Sequence, residues 1–144
     1  MQKKEHTAFV FAHIALFIVF VWFGSLKLLG LSPAGPLVTE LFNHTLGLVI
    51  PFLTADKFIV LFGGFEVLIG ILFVIPRMEK VATLLLLPHM LTTLLPLFFL
   101  PEITWDGFLT PSLEGQYIIK NVIILALVAM VFVDLKRARR GFTA

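Results

Sequence analysis

The chain of 144 residues contains no cysteine, which excludes thiol and disulfide redox chemistry, iron–sulfur clusters and thiolate zinc sites. Any electron chemistry must therefore belong to a partner or a bound cofactor. Charge is also scarce, with 14% of residues charged against about 25% in an ordinary soluble domain. Glycine-rich phosphate loops are missing, because Gly63-Gly64 sits in an apolar run without the strand such loops need. No nucleophile–base pair is present, so enzyme activity in its own right is not expected. What the sequence does hold is 59% hydrophobic residues, 16 of its residues being Phe, and a mean hydropathy of +1.03. A water-soluble globule of this composition would expose large apolar patches and aggregate. The chain reads as an integral membrane protein.

A spanning helix needs about 20 apolar residues, and four stretches qualify: residues 8–31, 57–75, 81–100 and 116–133. The expected fold is all-α, a transmembrane four-helix bundle forming a single domain over residues 1–144. The first stretch follows Lys3 and Lys4 as a secretory signal would, but it exceeds the roughly 7–15 residues of a signal's apolar core and reads as a retained helix. Residues 32–56 contain Pro33, Pro36 and Pro51 with Glu40, Asn43 and His44, and their longest run without polar side chains, Leu46 to Leu53, is too short to cross. An interfacial or re-entrant helix over about residues 37–47 is expected there.

Orientation follows from Lys and Arg, which accumulate in short cytoplasmic segments. Lys3, Lys4, Arg77, Lys80, Lys136, Arg137, Arg139 and Arg140 place eight of the eleven basic residues on one side. Glu40, Asp56, Glu102, Asp106 and Glu114 lie on the other with Lys57, so both termini are expected in the cytoplasm of a bacterial-type inner membrane. The net charge of +2 and the pI near 9.2 are thereby explained by membrane topology, and nucleic acid is not an expected partner.

An ionisable side chain inside a span costs about 2.5–3.5 kcal/mol on insertion scales unless it is paired or hydrated. Lys27, Glu66, His89 and Lys120 occupy one span each, and His13 lies lower on the first. On the first span His13, Phe17, Phe20, Gly24 and Lys27 follow helical steps along one stripe. Gly63, Glu66 and Gly70 do so on the second, with glycines that admit a neighbouring backbone beside the carboxylate. His89, Thr93 and Pro96 share a stripe on the third, and Gln116, Lys120, Ile123, Leu127 and Met130 on the fourth. From the helical rise, Lys27 and Lys120 lie about 6 Å below the outer end, Glu66 about 13 Å and His89 about 17 Å. Converging stripes would form a polar well open to the outer face. The candidate ligand-binding set is Lys27, Glu66, His89 and Lys120, joined by Gln116, Tyr117, Trp22 and Thr93. No metal site is expected, because the four histidines lack a paired ligand spacing. Haem is not expected either, since His13 and His89 differ in depth by about two turns.

The segments around these residues resemble the DoxX-like superfamily of small four-helix membrane proteins. Trp22-Phe23-Gly24-Ser25-Leu26-Lys27 is similar to the glycine-then-lysine ending of that family's first span. Gly64-Phe65-Glu66-Val67-Leu68-Ile69-Gly70 is similar to its glutamate-and-glycine helix, and Leu113-Glu114-Gly115-Gln116-Tyr117-Ile118-Ile119-Lys120-Asn121 to the opening of its fourth. The related RclC/YkgB reactive-chlorine resistance branch tends to have arginine and aspartate where this chain has Gln116 and Asn121. The resemblance implies an inner-membrane protein with respiratory or oxidative-stress functions, some relatives being subunits of quinone-reducing sulfur oxidoreductases.

Three functions compete on these residues. The first is a binding or accessory subunit whose well holds a quinone-like, lipid or anionic ligand, with a membrane redox protein, the bilayer and a second copy of the chain as candidate partners. In it Lys27 and Lys120 would donate to a carbonyl or anion, and Glu66 would accept or relay a proton. The alternatives are a small proton or solute transporter or channel, and a structural assembly factor in which the charges only set helix register.

Overall fold

A computed structural model describes residues 2–140, and the side chains of residues 7–133. Eight helical segments occur among them: α1 (Gln2–Leu28), α2 (Gly35–His44), α3 (Leu46–Val49), α4 (Ala55–Val74), α5 (Glu79–Leu94), α6 (Pro96–Phe99), α7 (Pro101–Thr104) and α8 (Leu113–Arg140). A two-stranded antiparallel hairpin, β1 (Trp105–Gly107) and β2 (Thr110–Pro111), precedes α8. Four stretches are long and apolar enough to cross a membrane: Thr7–Leu28, Ala55–Val74, Glu79–Phe99 and Leu113–Val133. Only 17–33% of each stretch is buried within the protein, so most of its apolar surface faces outward, as lipid would require. This is the expected four-helix bundle, with extra short helices between the first two spans.

The spans neighbour one another around a ring in the order α1, α4, α5, α8, and α1 packs most extensively on α4. Glycine sets that closeness. A Cβ added to Gly24 would stand 2.6 Å from the Gly63 carbonyl oxygen, and one added to Gly63 would stand 2.7 Å from Lys27 Cβ. A Cβ on Gly70 would come within 2.8 Å of Val21 Cγ2. Backbones in this seam therefore touch as small-residue membrane interfaces do. Beneath it Leu16, Phe20, Ile69, Leu72, Phe73, Ala82, Leu86, Met90 and Val128 form a buried apolar core.

The helix ends explain where the expected boundaries move. The first span was expected to reach Leu31, yet α1 stops at Leu28 because Gly30 adopts φ +70°. The Leu31 amide then bonds the Leu26 carbonyl and the Gly30 amide the Lys27 carbonyl, a Schellman closure. The expected segment 37–47 begins earlier, at Gly35-Pro36, since proline is preorganised for a first helical turn. It breaks at Thr45 before resuming as α3. The third span is interrupted at Leu95 by Pro96 and continues through α6. The opposite end turns tightly: the Met78 amide bonds the Ile75 carbonyl across Pro76 and Arg77, with Arg77 at φ +70° as a type II turn demands.

Chain order puts α2 and α3 at the same end of the bundle as α6, α7 and the hairpin. Contacts of α2 with α4 and α6, and of α6 and α7 with α8, join these pieces into one cap. Leu41 and Phe42 are buried on the inner face of α2, and Phe42 lies 5.2 Å from the Phe58 ring of α4, centroid to centroid. Gly115 seats α8 against the cap, because a Cβ there would overlap the Thr104 carbonyl oxygen.

Candidate functional site

Three of the expected residues meet in the capped half of the bundle. Lys27, in the last turn of α1, places its Nζ 2.6 Å from Oε2 of Glu66 on α4. His89 on α5 places Nε2 3.2 Å from the other carboxylate oxygen, Oε1. The relative exposures are 6% for Lys27, 6% for Glu66 and 3% for His89, so the triad is withdrawn from the surface. Each local choice follows from sequence: Gly63 lets the Lys27 stem cross α4, and Glu66 lies one turn further along the same face. The Lys27 side chain thus runs away from the cap toward the bundle centre, along the direction in which helical side chains lean.

Lys27 and Glu66 pair directly as opposite charges, with the His89 ring against the second carboxylate oxygen. The other ring nitrogen of His89, Nδ1, has no hydrogen-bond partner among the described residues. Three phenyl rings enclose the imidazole: Phe62 at 4.6 Å, Phe20 at 5.7 Å and Phe65 at 5.9 Å between ring centroids. Phe62 also lies 5.8 Å beneath the Lys27 ammonium. Removed from water and ringed by apolar atoms, each charge here depends on the other.

Above the triad, a cleft of about 450 Å³ opens at the edge of the bundle where α1 ends and α4 begins. Lys27, Leu28, Leu29, Ile59 and Val60 line it together with the polar side chains of Ser32 and Asp56.

The other expected residues stand elsewhere. Lys120 was expected to share the well with Glu66; it is exposed on α8, its ammonium 5.5 Å from the Tyr117 ring one turn earlier. Gln116 and Tyr117 are likewise exposed on that helix. The buried face of α8 runs instead through Gly115, Ile118, Val128 and Val131. Lys120 lies near enough to the helix end to extend along its own surface, so lipid-facing placement costs it little. Trp22 is 65% exposed and points away from the triad. Thr93 is half-buried one turn from His89, where its hydroxyl donates to the Met90 carbonyl at 2.8 Å and accepts from Asn121 Nδ2 at 3.5 Å. Low in the bundle, His13 bonds the Phe9 carbonyl of its own helix at 2.8 Å instead of a neighbouring span.

Sequence reasoning missed Phe62 and Phe65 around His89, and Asn121 as the link from α8 to α5. For Phe62 a signal existed, since it precedes Glu66 by four residues and shares its face. Asp56 carried no signal for the cleft, because its role there depends on how the α1–α2 connection folds back.

The fold and site together define a small helical membrane protein with four candidate spans and a buried Lys–Glu–His triad. Comparison with known proteins finds no significant match to a family, to a curated protein or to a solved structure. The DoxX-like resemblance therefore rests on its short motifs alone.

Proposed function

We propose that this protein is a membrane-embedded binding subunit, whose triad receives the polar headgroup of a ligand entering through the cleft. The carrying observation is that Lys27 both pairs with Glu66 and lines the cleft. Among the described residues the Lys27 ammonium makes one hydrogen bond, that to Glu66, leaving donors for a carbonyl or anionic oxygen. Glu66, with His89 behind it, would accept a proton from the same headgroup, and Thr93 extends the polar face by one turn. A quinone-like ligand supplies both an oxygen acceptor and an exchangeable proton, and in this reading the subunit serves a membrane redox partner of the DoxX-like type. Lipid headgroups and small anions offer the acceptor alone.

Topology supports the same reading. The basic residues gather at the end opposite the cap, an asymmetry that by the positive-inside rule favours cytoplasmic termini and an outward-facing cleft. Beneath the triad the core of Leu16, Phe20, Ile69, Phe73 and Leu86 is apolar and closed. That favours a dead-end site over a transport path.

Equilibrium binding to protein in nanodiscs tests the proposal, with a short-chain quinone, glycerol phosphate and inorganic phosphate as probes. Saturable quinone binding is expected, weakened about 10–100-fold by Lys27→Met through loss of a charged hydrogen bond. Lys120→Met and Trp22→Phe should bind as wild type does. Failure of every probe to saturate would remove the proposal.

A further inference from the structure

The hairpin between α7 and α8 is held firmly and ends in an apolar tip. Trp105 donates from Nε1 to the Leu97 carbonyl at 3.0 Å. Ser112 donates from Oγ to the Ile103 carbonyl at 2.6 Å, and its amide bonds the Thr104 carbonyl at 3.0 Å. Thr104 and Leu100 beside them are fully buried. At the far end Phe108 is 92% exposed and Leu109 76% exposed. Leu109 moreover adopts φ +54°, a conformation that glycine or asparagine takes without strain. A large apolar side chain is therefore kept at a strained turn with most of its surface left uncovered by the protein. An observed outlier of this kind points to a use outside the protein.

We infer that Phe108 and Leu109 insert into the lipid surface, anchoring the cap in the same leaflet that the spans enter. Chain length argues for it. The third candidate span ends at Phe99 and the fourth begins at Leu113, so the hairpin is bracketed by two points of membrane entry. With strands of three and two residues, its tip stays within about 10 Å of its base. The headgroup layer on each side of the hydrocarbon is about 5–7 Å deep, so the tip lies within reach of it.

Continuity with the lipid-facing surface argues for it as well. Leu84, Leu87, Leu91, Leu95 and Phe98 recur at steps of three and four, are all exposed, and carry the outer stripe of α5 into the cap. The single charge of the hairpin, Asp106, sits on a strand and not at the tip. An aromatic and an aliphatic side chain on a short, rigid support match an interfacial anchor. The inference goes beyond the reading of the triad and does not depend on it.

The absence of cysteine supplies the test. A Phe108→Cys variant carries one environment-sensitive fluorophore, with Leu109→Cys as a second reporter and Asn43→Cys, exposed on α2, as the aqueous control. In vesicles of phosphatidylethanolamine and phosphatidylglycerol, both tip labels are expected to emit further to the blue than the control. Lipids carrying a nitroxide near the headgroup should quench them, and aqueous iodide should do so several-fold less than at Asn43. Iodide quenching equal to the control would overturn the inference by placing the tip in water. Protection from both quenchers would overturn it too, by placing the tip against a second copy of the chain.

Discussion

Lys27→Met is expected to destabilise the protein by about 3–5 kcal/mol, because it leaves the Glu66 carboxylate buried without its counter-ion. Glu66 is short, lies mid-span and, among the described residues, keeps only His89 as a polar partner. Glu66→Gln should cost less. The lysine it strands sits in the last turn of α1 beside the cleft, and its stem can carry the ammonium toward water. The double variant Lys27→Met/Glu66→Gln should recover more than half of the loss, since no unpaired charge remains and the glutamine oxygen still accepts from His89. Its residual cost is an unsatisfied amide NH2 group, about 1–3 kcal/mol. Unfolding in mixed micelles of rising denaturing-detergent content measures all three. An order in which the double variant is the least stable would show that the pair does not behave as a coupled buried ion pair.

The second large effect is steric and reaches the same site. Gly63→Ala places a methyl group 2.7 Å from Lys27 Cβ and 2.8 Å from the Gly24 carbonyl oxygen. Both contacts are closer than side-chain carbons tolerate, and one is to backbone, which cannot swing aside. Alanine gains roughly 0.5–1 kcal/mol over glycine in a helix interior, but forced overpacking costs about 1–3 kcal/mol. The clash wins, α1 moves away from α4, and the Lys27–Glu66 contact lengthens. Gly64→Ala is the internal control, because its nearest neighbour, Leu28 Cδ2, is 4.0 Å from the added carbon. That variant should match or exceed the wild type in thermal stability. If Gly63→Ala did the same, the close seam between the two helices would be disproved.

These two predictions show what was readable from the chain. On α1 and α4, glycines marked the side that faces a neighbouring backbone, and Lys27 and Glu66 lay on that side. Direction and depth were both legible there. On α8 the only cue was polarity, and near a helix end polarity reports depth without direction, because Lys120 reaches the interface from a lipid-facing position. A stripe through Gln116 and Lys120 was therefore chosen where Gly115 and Ile118 face inward. Span positions were legible to within a few residues, since apolar length dictates them. The hairpin was not, because its strands of three and two residues are too short for an alternating pattern. Its geometry comes from Thr104, Ser112 and Trp105 bonding carbonyls eight or nine residues away.

The buried triad also separates two accounts of why a membrane protein keeps charges in its core. If the charges only fix helix register, the neutral double variant loses nothing but a little stability. If they receive a ligand, the same variant stays folded and empty. Mass spectrometry of protein extracted and purified in mild detergent, wild type beside Lys27→Met/Glu66→Gln, decides between these accounts. The binding account predicts a quinone or lipid retained at about one per chain by the wild type and lost from the folded double variant. Equal retention by both proteins, or none by either, would contradict it.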